Sequence, residues 1–327
     1  MLKIFIGFTM MVGVAFGDAP VVQTGQTTIY EVGDDGTYQA GIARSYSRDD
    51  INGIVTDNAT GIEWQDNEVG SQMDQLAAIA HCDSLPLDGR GWRLPTIEEL
   101  MSITDKSRHN PVVNQDAPNG FQNITADDYW SSTTLISGTS YAWLIGFDDG
   151  DDGIGVKSNE SHYVRCVRGQ QAASSSYIRD AVAETVVDKR TGLTWQDNIN
   201  VQNNDMNWSK AIKYCEDLEL PSGVDDWRLP NFNELYMIAD RSRFNPAMYM
   251  DSVDGIDNNG FKYVKINNYW SSTTPPTIAE SALLVGFQRG YVSTNNKIGS
   301  KYVRCVRGEH IDLSGASLVP IRMYLLD

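Results

Sequence analysis

Gly91-Trp92-Arg93-Leu94-Pro95-Thr96-Ile97-Glu98-Glu99-Leu100 decides the fold, because Asp226-Trp227-Arg228-Leu229-Pro230-Asn231-Phe232-Asn233-Glu234-Leu235 repeats it. In each copy a Pro ends an extended segment, a cap-type residue follows (Thr96, Asn231), and a Glu stands three positions on (Glu99, Glu234). That spacing is a capping box, in which side chain and backbone of cap and Glu bond reciprocally, so a strand-like WRLP feeds a short helix. Other landmarks recur around it in the same order. Thr60-Gly61-Ile62-Glu63-Trp64-Gln65-Asp66-Asn67 answers Thr191-Gly192-Leu193-Thr194-Trp195-Gln196-Asp197-Asn198, and Tyr129-Trp130-Ser131-Ser132-Thr133-Thr134 returns at 269–274. Tyr163-Val164-Arg165-Cys166-Val167-Arg168-Gly169 returns at 302–308. A period of roughly 130 residues is too long for a solenoid and suits a whole domain. The chain is a tandem duplication.

The order of these landmarks divides the chain. Residues 1–17 carry an early Lys, an apolar stretch and a small-residue end, which reads as a secretory signal peptide too short to span a bilayer. Residues 18–45 have no counterpart in the second copy and form an N-terminal extension, with a strand expected at Thr27–Tyr30. The first domain is 46–169, the linker 170–176, the second domain 177–308, and an apolar tail of 309–327 is expected to dock. The predicted location is therefore secreted or periplasmic, with no membrane span. A net charge of −17 repels nucleic acid and anionic membranes, so neither is an expected partner. Hydrophobic residues at 41% still leave material for two cores.

Four cysteines, two per copy at matching positions, predict one disulfide within each copy, Cys82 with Cys166 and Cys215 with Cys305. Four cysteines permit three pairings, and the repeat symmetry selects this one. Trp208, Ala211, Ile212, Cys215 and Leu218 follow the helical period behind Asn207, a fitting N-cap. The first cysteine of each pair thus lies on the buried face of a first helix. The second helix carries Ile97, Leu100 and Met101 in one copy, and Phe232, Leu235 and Tyr236 in the other. Short strands are expected at 129–133, 142–147, 153–157 and 163–167, so the second cysteine falls in the last strand and the bridge staples helix one to it.

The TG-x-x-WQ, helix-Cys, WRLP-x-x-x-EL, YWSST and YVRCVRG series resembles the bacterial Lcl C-terminal domain family, twice over, across most of the chain. The resemblance implies a C-type-lectin-like fold, distantly similar to formylglycine-generating enzymes, and a family in which a surface adhesin binds sulfated glycosaminoglycans. The expected fold class is α+β: two tandem C-type-lectin-like domains, each with two short helices, a small, mostly antiparallel sheet and one disulfide.

Fold does not give function, so the sites are argued from residues. His81, His109 and His162 stand opposite Tyr214, Phe244 and Lys301 in the other copy, and all four cysteines have a structural assignment, so no enzyme is predicted. No cofactor is required. Asp148, Asp149, Asp151 and Asp152 in a glycine-bearing loop offer hard oxygen ligands, which makes calcium in the first domain the metal to consider. An exposed acidic turn is the alternative reading, and the Glu-Pro-Asn and Trp-Asn-Asp motifs of calcium-dependent lectins are missing. The repeated tryptophans at 64, 92, 130, 195, 227 and 270 read as core. Trp143 and Tyr291 have no equivalents in the other copy and are the aromatic ligand candidates, with Arg108 and Arg243 as the cations. The shared arginines are expected to pair with Glu99, Glu234, Asp105 and Asp240. These readings converge on an exported, non-catalytic, adhesin- or lectin-like binding protein for a glycan or cell-surface polymer. A structural or protein-interaction role with an envelope protein is the alternative.

Overall fold

The computed structural model describes residues 20–89, 91–116, 118–171, 176–251 and 259–308. The signal peptide expected at 1–17, the tail at 309–327 and linker residues 172–175 lie outside the described residues. The first copy contains β1 (Tyr46–Asp49), β2 (Ile54–Asp57), β3 (Glu63–Gln65), β4 (Asp128–Thr134), β5 (Tyr141–Gly146), β6 (Asp152–Val156) and β7 (Val167–Arg168). The second contains β8 (Tyr177–Asp180), β9 (Thr185–Asp188), β10 (Thr194–Gln196), β11 (Asp205–Met206), β12 (Asn268–Trp270), β13 (Ser281–Gly286), β14 (Tyr291–Asn296), β15 (Lys301–Tyr302) and β16 (Val306–Arg307). A one-turn α1 (Asp35–Tyr38) belongs to the extension, α2 (Gln75–Ser84) and α3 (Ile97–Ser102) to the first copy, and α4 (Asn200–Asn203), α5 (Trp208–Glu216) and α6 (Phe232–Met237) to the second.

Each copy builds two small sheets. One runs β1-β2-β3-β7 and, in the second copy, β8-β9-β10-β16, antiparallel throughout. The other is β4-β5-β6, or β11-β15-β12-β13-β14 in the second copy. There β15 runs parallel to β12 through Tyr269 and Tyr302, and the first copy makes the same contact as a single parallel bridge between Tyr129 and Tyr163. The last strands are shorter than predicted. Cys166 and Cys305 fall just before β7 and β16, because the preceding residues turn their backbone to β4 and β12 instead of extending the ladder.

Both disulfides form as the repeat predicts, with Cα–Cα distances of 5.4 Å and loops of 84 and 90 residues. They tie α2 and α5 to the segments entering the last strands. Both capping boxes close: Thr96 Oγ1 accepts from Glu99 N at 3.2 Å and Glu99 Oε2 from Thr96 N at 2.8 Å, while Asn231 and Glu234 do the same at 2.9 and 2.8 Å. The Arg of each WRLP clamps that Glu through two nitrogens, Arg93 at 2.7 and 2.5 Å and Arg228 at 2.6 and 2.5 Å. One carboxylate therefore caps a helix and neutralises a half-buried cation. The six repeated tryptophans are all buried.

A second buried anion organises each copy. Asp66 accepts from Arg48, from Arg165 at 2.8 Å and from the backbone N–H groups of Gln122 and Asn123, and Asp197 accepts from Arg179, Arg304, Lys262 and Tyr263 in the same manner. Cations and N–H donors thus take the place of water around each buried carboxylate.

One buried apolar cluster runs through both copies, with α3 packed on α6 and β6 beside β14. The extension straddles the pair. Arg44 donates to the carbonyls of Ser102 and Thr104 in the first copy, at 2.6 and 2.5 Å. The strand expected at 27–30 is absent, since the local groups bond to side chains: Tyr30 N donates to Asp34 and the Thr28 carbonyl accepts from Gln26.

Candidate functional site

Trp143 and Tyr291, predicted to face a ligand, face each other. Their rings lie 4.6 Å apart across the junction of the copies, and Trp143 is 1% exposed. Arg241, from the second copy, lies over both Trp143 and Tyr236, 3.7 Å from the centroid of the latter, and donates to Gly290 O at 2.8 Å and to Glu98 at 3.1 Å. Asp152 closes this cluster. It accepts from Val292 N at 2.9 Å and Tyr236 OH at 3.1 Å, with Arg241 at 4.0 Å. Its side chain is wholly buried, and burial pushes its carboxyl up to about 6. The structure thus corrects two readings: Trp143 is interface core, and Asp152 is a buried interface acid aimed away from the acidic turn. Residues without a repeat counterpart resemble ligand contacts in a sequence; here they differ because two unlike faces meet.

The remaining carboxylates of that turn stay together. Asp148 and Asp149 are exposed between β5 and β6, and Asp151 is half-buried. Lys106 reaches into the turn, donating to Gly150 O at 2.7 Å, with its ammonium 4.7 Å from the centroid of the Phe232 ring. Burial lowers the ammonium to about 8, and Asp151 and Asp149 pull in the opposite sense. Among the described residues no group of three or more His, Cys, Asp or Glu side chains converges as a metal cluster.

A cleft of about 750 Å³ opens beside this junction. Its first-copy wall presents hydroxyls, from Thr96, Thr133 and Thr134, beside the Glu98 carboxylate. Its second-copy wall presents Asp240, Met237 and Arg243, the last lying over Tyr249 at 4.6 Å and bonded to Asp240 at 2.9 Å. Val22 of the extension and Gln170 of the linker line it as well. No His or Cys stands among the described residues that line it. The volume falls within the roughly 300–1,000 Å³ of small-molecule and cofactor clefts, and the mix of apolar surface with a few polar groups is what such sites use for orientation. Arg243, one of the two cations expected to meet a ligand, lines this cleft. Arg108 is not among the residues lining the cleft, and pairs with Asp105 and Asp116.

The repeated landmarks, disulfides and caps define the unit on which this cleft is built, and the Lcl C-terminal domain profile matches that unit at residues 53–168 and again at 184–307. The chain belongs to the Lcl C-terminal domain family. No curated protein matches the chain. Both Lcl C-terminal domains keep the Arg–Glu clamp, the buried aspartate and the disulfide. Among the cleft residues, Thr96 and Glu98 stand where the second domain has Asn231 and Asn233. No helix among the described residues is long and apolar enough to cross a membrane.

What the sequence missed has a common signature. Asp66 and Asp197 sit inside the repeated Trp-Gln-Asp-Asn, and their partners Arg165 and Arg304 inside the repeated Tyr-Val-Arg-Cys. Pairing one repeated anion with one repeated cation was the available signal.

Proposed function

We propose that this chain is an exported, non-catalytic binding protein, an adhesin- or lectin-like module that takes a glycan or other surface polymer at the junction of its two domains. The observation that carries the reading is the cleft itself, whose walls combine hydroxyls, carboxylates and the Arg243–Tyr249 pair with apolar side chains. Sugar rings offer alternating hydroxyls and apolar faces, which these groups can bond and stack. The test is a glycan and glycosaminoglycan array on the whole chain, with calcium and with a chelator. The expected result is saturable binding, weakened about tenfold by Arg243→Ala, the loss of one charge-assisted contact. Loss of binding in chelator would assign calcium to the Asp148–Asp151 turn. A blank array in both conditions would discard the glycan reading.

One observation favours a second reading, a protein-interaction component of the envelope: the second domain already holds a polypeptide segment along its surface, through bonds from Asn231 and Asn233 to the carbonyls of Ala40 and Val22.

A further inference from the structure

Each domain carries the same groove, between its Trp-Ser-Ser-Thr-Thr segment and the start of its capped helix. The groove is shaped by identical bonds. Ile97 N donates to Thr133 Oγ1 at 3.0 Å, as Phe232 N does to Thr273 Oγ1 at 2.9 Å. Ser132 N donates to Pro95 O at 2.7 Å, as Ser272 N does to Pro230 O at 2.8 Å.

In the second domain this groove is full. Thr273 Oγ1 donates to Asp35 Oδ2 at 2.6 Å, Thr274 N to Gln26 Oε1 at 2.6 Å, and Asp35 N to Ser272 O at 3.2 Å. Asn231 and Asn233 hold the carbonyls of Ala40 and Val22 at 2.8 and 2.9 Å, and Arg228 lies under the Tyr38 ring at 5.9 Å. Ser272, Thr273 and Thr274 are consequently 2%, 0% and 1% exposed. In the first domain Ser132, Thr133 and Thr134 are only half-buried, and among the described residues nothing accepts from Thr133 Oγ1. The Arg93 side chain is 25% exposed where Arg228 is 8%. The first groove keeps the threonine hydroxyl and the clamped arginine, has Thr96 and Glu98 in place of Asn231 and Asn233, and opens into the cleft.

We infer that the first domain's groove binds a segment of a partner polypeptide, seated as residues 22–40 are seated in the second. This deepens the protein-interaction reading of the site and does not need the glycan reading. Main-chain bonds would supply affinity and three side-chain positions the choice of partner, as in other modes of strand and peptide capture. The partner presents a carboxylate to Thr133, as Asp35 does to Thr273, and an aromatic ring over Arg93, as Tyr38 does over Arg228. At the third position the chemistry inverts. Asn233 donates to a carbonyl, whereas Glu98, whose Oε1 already accepts from Arg241, can only accept when ionised, so the partner brings an N–H or ammonium to its other oxygen.

The experiment titrates a fluorescein-labelled synthetic peptide, Pro20–Ile42, into the whole chain at about 150 mM salt, where long-range repulsion from the acidic surface is screened. The expected result is saturable anisotropy at one peptide per chain. The same peptide with Asp35→Ala should bind about tenfold more weakly, and Thr133→Val in the protein should cost a similar factor. Glu98→Asn, which gives the first groove the amide of the second, should tighten the wild-type peptide several-fold. Absence of saturable binding to both the wild-type chain and Glu98→Asn overturns the inference, as does binding indifferent to Asp35→Ala. A chain that binds an oligosaccharide from the array but neither form of the peptide leaves the binding-module reading standing and removes this one. A chain that binds neither removes both.

Discussion

The Asp-Lys-Ser-Arg turn of the first domain and the Asp-Arg-Ser-Arg turn of the second place cations at equivalent positions, and the two are held differently. Lys106 and Arg241 each donate to the backbone carbonyl of a strand-joining glycine, Gly150 and Gly290. Lys106 has little more than that carbonyl, the Phe232 ring and the nearby acidic turn. Arg241 sits among Glu98, Asp152, Tyr236 and Trp143, gathered from both domains. A planar guanidinium can stack and donate in several directions at once, while an ammonium is a point charge that dehydrates reluctantly. Duplication supplied two equal turns, and the junction has made one of them a hub. The grooves differ in the same sense: equal frames, one filled by the chain's own extension, one left open.

The sharpest break of this comparison is at the cations. Arg241→Ala leaves Asp152 and Glu98 without their buried partner and is expected to destabilise by about 3–5 kcal/mol, the cost of orphaning a buried charge. Lys106→Ala should cost clearly less, since no buried carboxylate is orphaned. Urea melts of the two variants check this, and equal losses would contradict the asymmetry. The disulfides supply a case where the domains should not differ. Serine replacement of either pair should cost about 2–5 kcal/mol, and the loops of 84 and 90 residues are so close in length that chain entropy separates them by only about 0.1 kcal/mol. Calorimetry of the two double variants measures it.

Acidity separates the two domains' buried groups next. Burial raises Asp35 to about 7 and Asp152 to about 6, so the folded chain holds more protons than the unfolded one from about pH 4 upward. Stability should fall as pH rises through that window. Burial lowers Lys106 to about 8 from the ordinary 10.5, so between those values the unfolded chain holds the extra proton and stability should climb with pH. Melting temperature against pH should show these opposite slopes, with Asp152→Asn flattening the acid arm and Lys106→Met the alkaline one. The smallest effect is at the caps. Thr96→Ala should cost about 1 kcal/mol, whereas Asn231→Ala should cost more, because its Nδ2 also holds Ala40 O at 2.8 Å.

The frame of each domain was legible because its residues recur. The WRLP arginine, the cap and the Glu three positions on recur in both copies, and the bonds between them are local enough to follow from spacing alone. The cysteines paired by symmetry for the same reason. What could not be read lies where symmetry ends. Trp143 and Asp152 lack repeat partners and therefore read as ligand groups in the sequence, yet they meet residues far along the chain in the other domain, Asp152 meeting Tyr236 and Trp143 meeting Tyr291. The extension has no counterpart at all, and its Asp35, Gln26 and Tyr38 bond to groups whose proximity only the folded chain creates. Arg243, expected as a ligand cation, lines the cleft and its twin Arg108 does not, since the cleft lies to one side of the pseudo-symmetric pair.

Hydrogen–deuterium exchange on the whole, unliganded chain tests the central claim, that one groove is filled in cis and the other open. The account predicts slow exchange for the 271–274 amides, where Thr274 N is held by Gln26, and markedly faster exchange for the equivalent 131–134 amides, with the difference shrinking in Asp35→Ala. Equal protection of the two segments in the unliganded chain would contradict it.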